Sequence, residues 1–502
     1  MPHSDRLDPR FTALPLDALV DAALARAAAL GASHADVRVE RVRTGQRLLR
    51  DGRLETSSDV TDLGLGVRVV HEGAWGFAAG ITLTTDAAAA LADQAVAAAR
   101  VSRVLSDRPV ELAPEPVHEG DWVSPFRLNP FDVPEVDRLG RLLELSEVVA
   151  RGEGVDHVTV TLEMVDESKF YADSAGSRTR QRRVRLFPSI EAVNVADGYS
   201  SMRSCNPPSA RGWEYLAGND GWDFDAEAGR LPEWLAENVA APSVRAGRYD
   251  LVVSPTNLWL TIHESVAHAT ELDRALGFEA AYAGTSFATV DGLGSLRYGS
   301  DVMTVTGDRV TEHGLASCGW DDEGVEAQTF DIVRDGTLVG YQLNRQMAHD
   351  RGLARSNGCA YADSPGHIPL QRMPNVSLQP AADDTSVADL IGQVEHGLFV
   401  EGDKSWSIDM QRYNFQFTGQ RFFAIENGRL AGQVKDAAYQ ATTTDFWGSM
   451  EAIGGPSTWM LHGAFNCGKG QPAQSAPVSH GAPAALFRQV NVLNTEAEGS
   501  NL

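Results

Sequence analysis

The sequence predicts an α+β protein: two N-terminal α/β-layer segments with mixed or antiparallel sheets, then a largely antiparallel β domain carrying one conspicuous helix. Three observations carry this. An order of helix, short alternating strands and helix fills residues 16–103 and recurs after residue 135. Beyond Pro242 the texture changes to short β-like runs broken by Gly, Asn and Asp turns. Inside that region Ser254-Pro255 has the N-cap and first-turn pairing of a helix start, leading into TNLWLTIHESVAHATELDRALG.

The elements follow in order. Residues 16–31 read as an amphipathic helix stopped by Gly31. Four short strands come next: Ala35 to Val42, Gln46 to Arg50 before an Asp51-Gly52 turn, Leu63 to Val70, and Ala74 to Ala79. Thr85-Asp86 opens an alanine-rich helix to about Arg103, and the proline-bearing stretch 104–131 reads as a linker. Val136 to Arg151 is helical, Val158 to Val165 and Ser168 to Asp173 are strands, and Gln181 to Val195 supplies two more. Leu231 to Val239 gives a short helix with Pro232 in its first turn. The recurrence has the look of an internal duplication. After the strand Tyr249 to Val253 and the conspicuous helix, β-like runs include Val302 to Thr306, Thr329 to Asp335, Leu338 to Asn344, Met410 to Gln420 and Arg421 to Leu430. The expected divisions are 1–120, 121–243 and 244–490, with 491–502 as a tail.

Composition excludes several functions. Of 502 residues, 43% are hydrophobic and 22% charged, enough apolar material for large cores. The 43 basic residues face 68 acidic ones, and the formal charge of −25 repels phosphate backbones and anionic lipids. No direct nucleic-acid or membrane partner is therefore expected. No apolar run approaches the ~20 residues of a spanning helix. The opening MPHSDRLDPRF lacks the basic-then-apolar layout of a secretory signal. Four cysteines without paired spacing are too few for a disulfide framework. The expectation is a cytoplasmic, reducing setting.

The chemistry concentrates in His263-Glu264-Ser265-Val266-Ala267-His268. Two imidazoles with an adjacent carboxylate suggest a metallopeptidase helix, where His ligands sit at i and i+4. Here the spacing is i, i+5, which on a regular helix turns the second ring ~140° from the first. A metal site therefore requires a local widening of the helix, a π-bulge. The chain has three His-Glu dipeptides, at His71, His118 and His263. With 13 histidines in 502 residues, one of the three gains a second His five places on by chance about one time in twelve, so a buried helix with two unrelated histidines is the plain alternative. A further ligand is needed. Glu271, Asp273 and the four cysteines (Cys205, Cys318, Cys359, Cys467) are candidates that spacing does not separate.

The blocks HESVAHATELDRALGFEAAYAGTSFA and NCGKGQP together resemble the TldD branch of the TldD/PmbA family of metallopeptidases. Further segments agree in order: GASHADVRVERVRTGQRLLRDGRLE, GLGVRVVHEGAWGFAAG, GYQLNRQMA and CAYADSPGHIPLQRMPN. The resemblance implies that His263, His268 and Cys467 are metal ligands and that Glu264 is the general base. Zinc is the implied metal, one per catalytic subunit, since two imidazoles and a thiolate suit it. The implied function is zinc-dependent hydrolysis of small or unfolded polypeptides by metal-activated water. The implied partner is a PmbA/TldE-like subunit, or a second copy in a homodimer. A non-catalytic scaffold with a structural metal is the alternative, and the family's older description as a gyrase modulator is a third reading.

Neighbouring residues have simpler readings. Leu258, Trp259 and Leu260 read as core packing. His367 and His480 fall in Gly- and Pro-rich stretches that read as surface loops with a possible substrate role. Asp273 is a candidate partner for His268.

Overall fold

The structure is a computed structural model that describes residues 6–105, 108–196 and 198–499. The first five residues of the opening segment and the last three of the expected tail lie outside the described residues.

The two N-terminal segments share one seven-stranded sheet. Its order runs Ala74–Gly80, Arg53–His71, His34–Arg50, His157–Asp173, Arg178–Asn194, Glu119–Val123, with Ser200–Arg203 also on Arg178–Asn194. The segments meet where His34–Arg50 lies antiparallel to His157–Asp173, with Arg43 opposite Asp166. Alternation sorts the two faces. Val37, Val39, Leu65 and Val67 bury against helices Leu16–Ala29 and Thr85–Arg103. Val158, Val160, Leu162, Leu186 and Ile190 bury against Glu135–Ala150 and Phe224–Ala240. The opposite face carries Asp36, Arg38, Glu40, Arg68, Glu167, Lys169 and Arg183, all buried. These charges close onto the C-terminal part: Lys169 Nζ lies 2.7 Å from Asp322, and Arg68 bridges Asp36 at 2.8 Å and Glu323 at 2.9 Å.

Several expected boundaries change. The four short strands of the first segment are three, because His34–Arg50 runs unbroken through Arg43-Thr44-Gly45. Long cross-strand pairing overrides the locally weak β pattern there. Gln181 to Val195 is likewise one strand, Arg178–Asn194. The expected linker 104–131 contains the strand Glu119–Val123, which joins this sheet parallel to Arg178–Asn194. The short helix begins at Phe224, not Leu231, because Asp223 caps it by accepting from the Ala226 N–H, so Pro232 sits inside it.

In the C-terminal part five strands close a ring. His396–Ile408 pairs with Gly247–Val253 in parallel and with Asn414–Glu426 antiparallel. Ala485–Asn494 joins Gly247–Val253 to Ala437–Thr442, which returns to Asn414–Glu426. Asn414–Glu426 replaces the two runs expected over Met410 to Leu430, with Arg429–Val434 added as an edge. Of the run Leu338 to Asn344 only Leu338 is strand, in Thr337–Leu338; beyond it Val339 and Gly340 both donate to the Ile332 carbonyl and Gln342 to that of Thr270, which breaks the ladder. A four-stranded sheet and the hairpin Met460–Lys469/Gln474–Ala482 complete this part. Among the described residues no helix is long and apolar enough to cross a membrane.

Candidate metal centre

The helix Pro255–Ile262 packs Leu258, Trp259 and Ile262 into the core beside Phe417 and Tyr439 of the ring. The phenol of Tyr439 lies 2.7 Å from the Thr261 hydroxyl and 2.8 Å from Asn257 Oδ1, which fixes the helix along the ring wall. Trp259 is core, as expected, and stacks on His462 with centroids 4.7 Å apart while its Nε1 donates to Asp403.

At His263–Ala267 the helix widens into a π turn, closed by the His268 N–H on the His263 carbonyl. The extra residue per turn brings i and i+5 onto one face. Side chains meet the loosened backbone: Tyr298 donates to the Ser265 carbonyl, Gln342 Nε2 to Ala267 at 2.6 Å, and Thr270 Oγ1 to Val266 at 2.8 Å. Trp447 Nε1 holds the Ser265 hydroxyl at 2.9 Å. The two imidazoles end with ring centroids 4.7 Å apart.

Strand Met460–Lys469 supplies the thiol, after a register shift between Ala464 and Cys467. Cys467 Sγ lies 3.6 Å from His268 Nε2, and donor atoms of His263, His268 and Cys467 all fall within 4.8 Å of one another. Ligands at ~2.0–2.3 Å around one tetrahedral ion lie about 3.3–3.8 Å apart, so these buried donors fit a single zinc-sized ion with little movement.

Hydrogen bonds select the nitrogen each ring offers. His480 Nδ1 lies 3.0 Å from the Val376 carbonyl, which only accepts, so His480 donates there. Its Nε2, 2.7 Å from His263 Nδ1, then accepts the His263 proton and leaves His263 Nε2 with a lone pair. The His268 Nδ1–H points at Glu271 Oε2, 2.9 Å away, leaving Nε2 facing Cys467. Burial depresses all three histidines, His268 to about 4, so they are neutral at pH 7. For Cys467 burial pushes the thiol up, but Arg372 and His268 outweigh it and the net shift is down, toward thiolate. The Arg372 guanidinium also donates to the Cys467 carbonyl at 2.6 Å.

The remaining candidates sort themselves. Glu271 binds His268, Lys469 and Arg274 and stands behind the ring. Asp273 does not partner His268; it pairs with Lys469 at 2.7 Å, because the chain turns between Thr270 and Leu272. Cys205, Cys318 and Cys359 are free thiols outside the cluster. His480 is not in a surface loop but fully buried on strand Gln474–Ala482. His367 sits in a turn, bonded to Asp363 at 2.6 Å. Glu264 is buried one residue along from His263, with Arg412 at its carboxylate. Sequence reasoning gave Arg412 no role, and a contact across 148 residues leaves no local signal.

Residues 246–494 match the PmbA/TldA metallopeptidase C-terminal domain and residues 35–99 match that family's domain 1. The chain belongs to the TldD/PmbA family of metallopeptidases. A metalloprotease of Methanothermobacter thermautotrophicus is 28% identical over 464 residues, 92% of this chain and 96% of its own. A zinc metalloprotease TldD homologue of Saccharolobus solfataricus is 22% identical, over 93% of this chain and 98% of its own. In fold, this TldD/PmbA member resembles a crystal structure described as a candidate modulator of a DNA gyrase from Thermotoga maritima, with TM-score 0.74 and 15% identity over 95% of this chain and 100% of that one. It also resembles TldE from Thermococcus kodakarensis, with TM-score 0.68 and 14% identity over 95% and 99% of the two chains.

Proposed function

We propose that this metallopeptidase is of the metal-bearing, catalytic type, a zinc enzyme that hydrolyses small or unfolded polypeptides. The observation that carries the reading is the convergence of His263 and His268 across a π turn with Cys467 from a strand 199 residues away from His268. Among the described residues the cluster has three donors, the number that leaves one position of a tetrahedral ion open to water or substrate. A structural site is usually closed by four.

His263, His268 and Cys467 would hold the ion. Zinc in such a site supplies Lewis acidity toward a carbonyl oxygen and makes a neighbouring water more acidic. Glu264 stands beside the ligands as the group to accept the water proton and return it to the leaving amine. His480 and Glu271 keep the two imidazoles oriented and neutral. Lys469, fully buried, balances Glu271 and Asp273.

For the assembly we propose a dimer, with a PmbA/TldE-like chain or a second copy as the other subunit. The likeness to TldE and the relatives' TldD names support it. A cytoplasmic setting is in keeping with the four unpaired cysteines.

The test is the metal content of the purified chain beside Cys467→Ser. The reading expects close to one zinc per chain in the wild type and loss of most of it in the variant. Equal zinc in both proteins would remove Cys467 from the ligand set.

A further inference from the structure

Glu264 is only 6% exposed, and the guanidinium of Arg412 meets it, with Nη1 2.6 Å from Oε2. Arg412 comes from the tight loop between strands His396–Ile408 and Asn414–Glu426. That loop is stiffened from within. Asp409 accepts the backbone N–H groups of Gln411 at 3.1 Å, Tyr413 at 2.8 Å and Asn414 at 3.0 Å. Arg412 itself sits in the left-handed region at φ 62°, an unfavourable place for a long side chain, and its carbonyl is held by Thr443 Oγ1 at 2.7 Å.

The same loop is tied to the segment that follows the histidine motif. The N–H groups of Thr285 and Phe287 donate to the carbonyls of Met410 and Gln411 at 2.8 and 2.9 Å. Gly284, at φ 86°, lies flat against this contact: a Cβ there would fall 2.0 Å from the Met410 oxygen. Arg412 Nη2 reaches the Ala283 carbonyl at 3.4 Å. Two chain segments, each anchored elsewhere, therefore converge to deliver one guanidinium to one carboxylate.

We propose that Arg412 is the positioning residue for Glu264, and that the loop around residues 409–414 and the segment 283–287 form the clamp that aims it. The inference rests on the proposed role of Glu264 as general base. The ion pair engages Oε2 and so presents Oε1 for proton transfer. A charge-assisted bond of this kind fixes orientation as well as charge. Without it the carboxylate can turn about its own side-chain bonds, and a misplacement near 1 Å costs on the order of 10²-fold in rate.

The experiment uses the full chain, zinc-loaded, with fluorescein-labelled casein as the unfolded substrate. Arg412→Gln should keep its zinc, keep KM within about threefold and lose about 10²-fold in kcat. Arg412→Lys should lie between it and the wild type, because an ammonium pairs with one oxygen but lacks the planar fork. Guanidinium ion at millimolar concentration should restore at least about tenfold to Arg412→Gln and nothing to the Arg412→Gln/Glu264→Gln double variant. Gly284→Ala should lower kcat in the same direction and add little to Arg412→Gln, since both act through one contact.

An unchanged kcat in Arg412→Gln overturns the proposal, as does a loss that follows zinc loss or that guanidinium does not relieve. If Arg412→Gln does not fold, Arg412→Lys and Gly284→Ala decide in its place, and an unchanged kcat in both overturns it. Should Glu264→Gln hydrolyse casein as the wild type does, the general-base reading and this proposal fall together. Should Glu264→Gln be inactive and Arg412→Gln normal, only this proposal falls.

Discussion

His480 dictates which nitrogen His263 can offer: the two rings meet through Nε2 and Nδ1 at 2.7 Å, and the Val376 carbonyl forces the direction of that hydrogen bond. Replacing His480 by Ala strands the Nδ1–H of His263 in a buried site. The expected result is a zinc affinity weaker by about 10–100-fold, measured by competition with a chelator, in a chain whose fold is intact. Wild-type affinity in the variant would mean that the metal alone orients His263.

Glu264→Gln keeps the volume of the side chain and loses its basicity. Zinc content should stay near wild type while hydrolysis of labelled casein falls by at least ~10²-fold. Loss of metal together with activity would make Glu264 a ligand. A variant that behaves as wild type in both measurements would reduce Glu264 to an ordinary buried charge.

Two buried histidines should each withdraw stability from the metal-free protein in a defined acid window. Burial holds His268 and His462 at about 4, against an ordinary value near 6.5 in the unfolded chain. Between those values these two histidines bind more protons in the unfolded state, so their contribution to stability is lost as pH falls from about 6.5 toward 4, while Glu40 and Asp321, pushed up to about 7 by burial, act in the opposite sense. Urea titrations with chelator present should give His462→Gln a slope lower than the wild-type slope by about 1.4 kcal/mol per pH unit. Equal slopes in the two proteins between pH 7 and 5 would show that His462 titrates normally.

Gly76 offers a check on the N-terminal layer. A Cβ there would sit 1.9 Å from the Ala95 carbonyl and 2.6 Å from the Ala99 N–H, so strand Ala74–Gly80 and helix Thr85–Arg103 touch through it. Gly76→Ala should cost about 1–3 kcal/mol in chemical denaturation, or more if the helix cannot shift. Zinc content should not change, since the substitution is in a different core.

Sedimentation tests the assembly. The expected species, alone or mixed with a PmbA/TldE-like chain, is a dimer that carries the casein-hydrolysing activity. A monomer that retains full activity at working concentration would remove the second subunit from the mechanism.

Much of this was legible in residues that act locally. The helix starts at Thr85 and Pro255 fall where local sequence put them: Thr84 caps the first by accepting from the Ala87 N–H, and Pro255 in the first turn opens the second, although Ser254 makes no capping hydrogen bond. The i, i+5 spacing of His263 and His268 carried a geometric demand, a widened turn, and the helix has that turn. What escaped was long-range pairing. Nothing near residue 45 announces that His34–Arg50 continues through it, because its support comes from strands on both sides. His480 looked like a loop residue among Gly and Pro, yet its place in the hairpin opposite His462 buries it. Asp273 and Glu271 sit two residues apart, and only the turn between them decides which one faces His268.

The order in which the chain leaves the ribosome constrains when the centre can exist. Strand Ala485–Asn494 lies between Gly247–Val253 and Ala437–Thr442, so the ring that supports the histidine helix stays open until that strand has been made. Cys467 is itself made some 200 residues after His268. A nascent chain therefore exposes two histidines with no thiolate to complete them and no wall behind them. Under the proposed reading, metal capture waits for both Cys467 and strand Ala485–Asn494. A lesion in strand Ala485–Asn494 should therefore disturb the proposed metal centre as surely as a change to one of its donors.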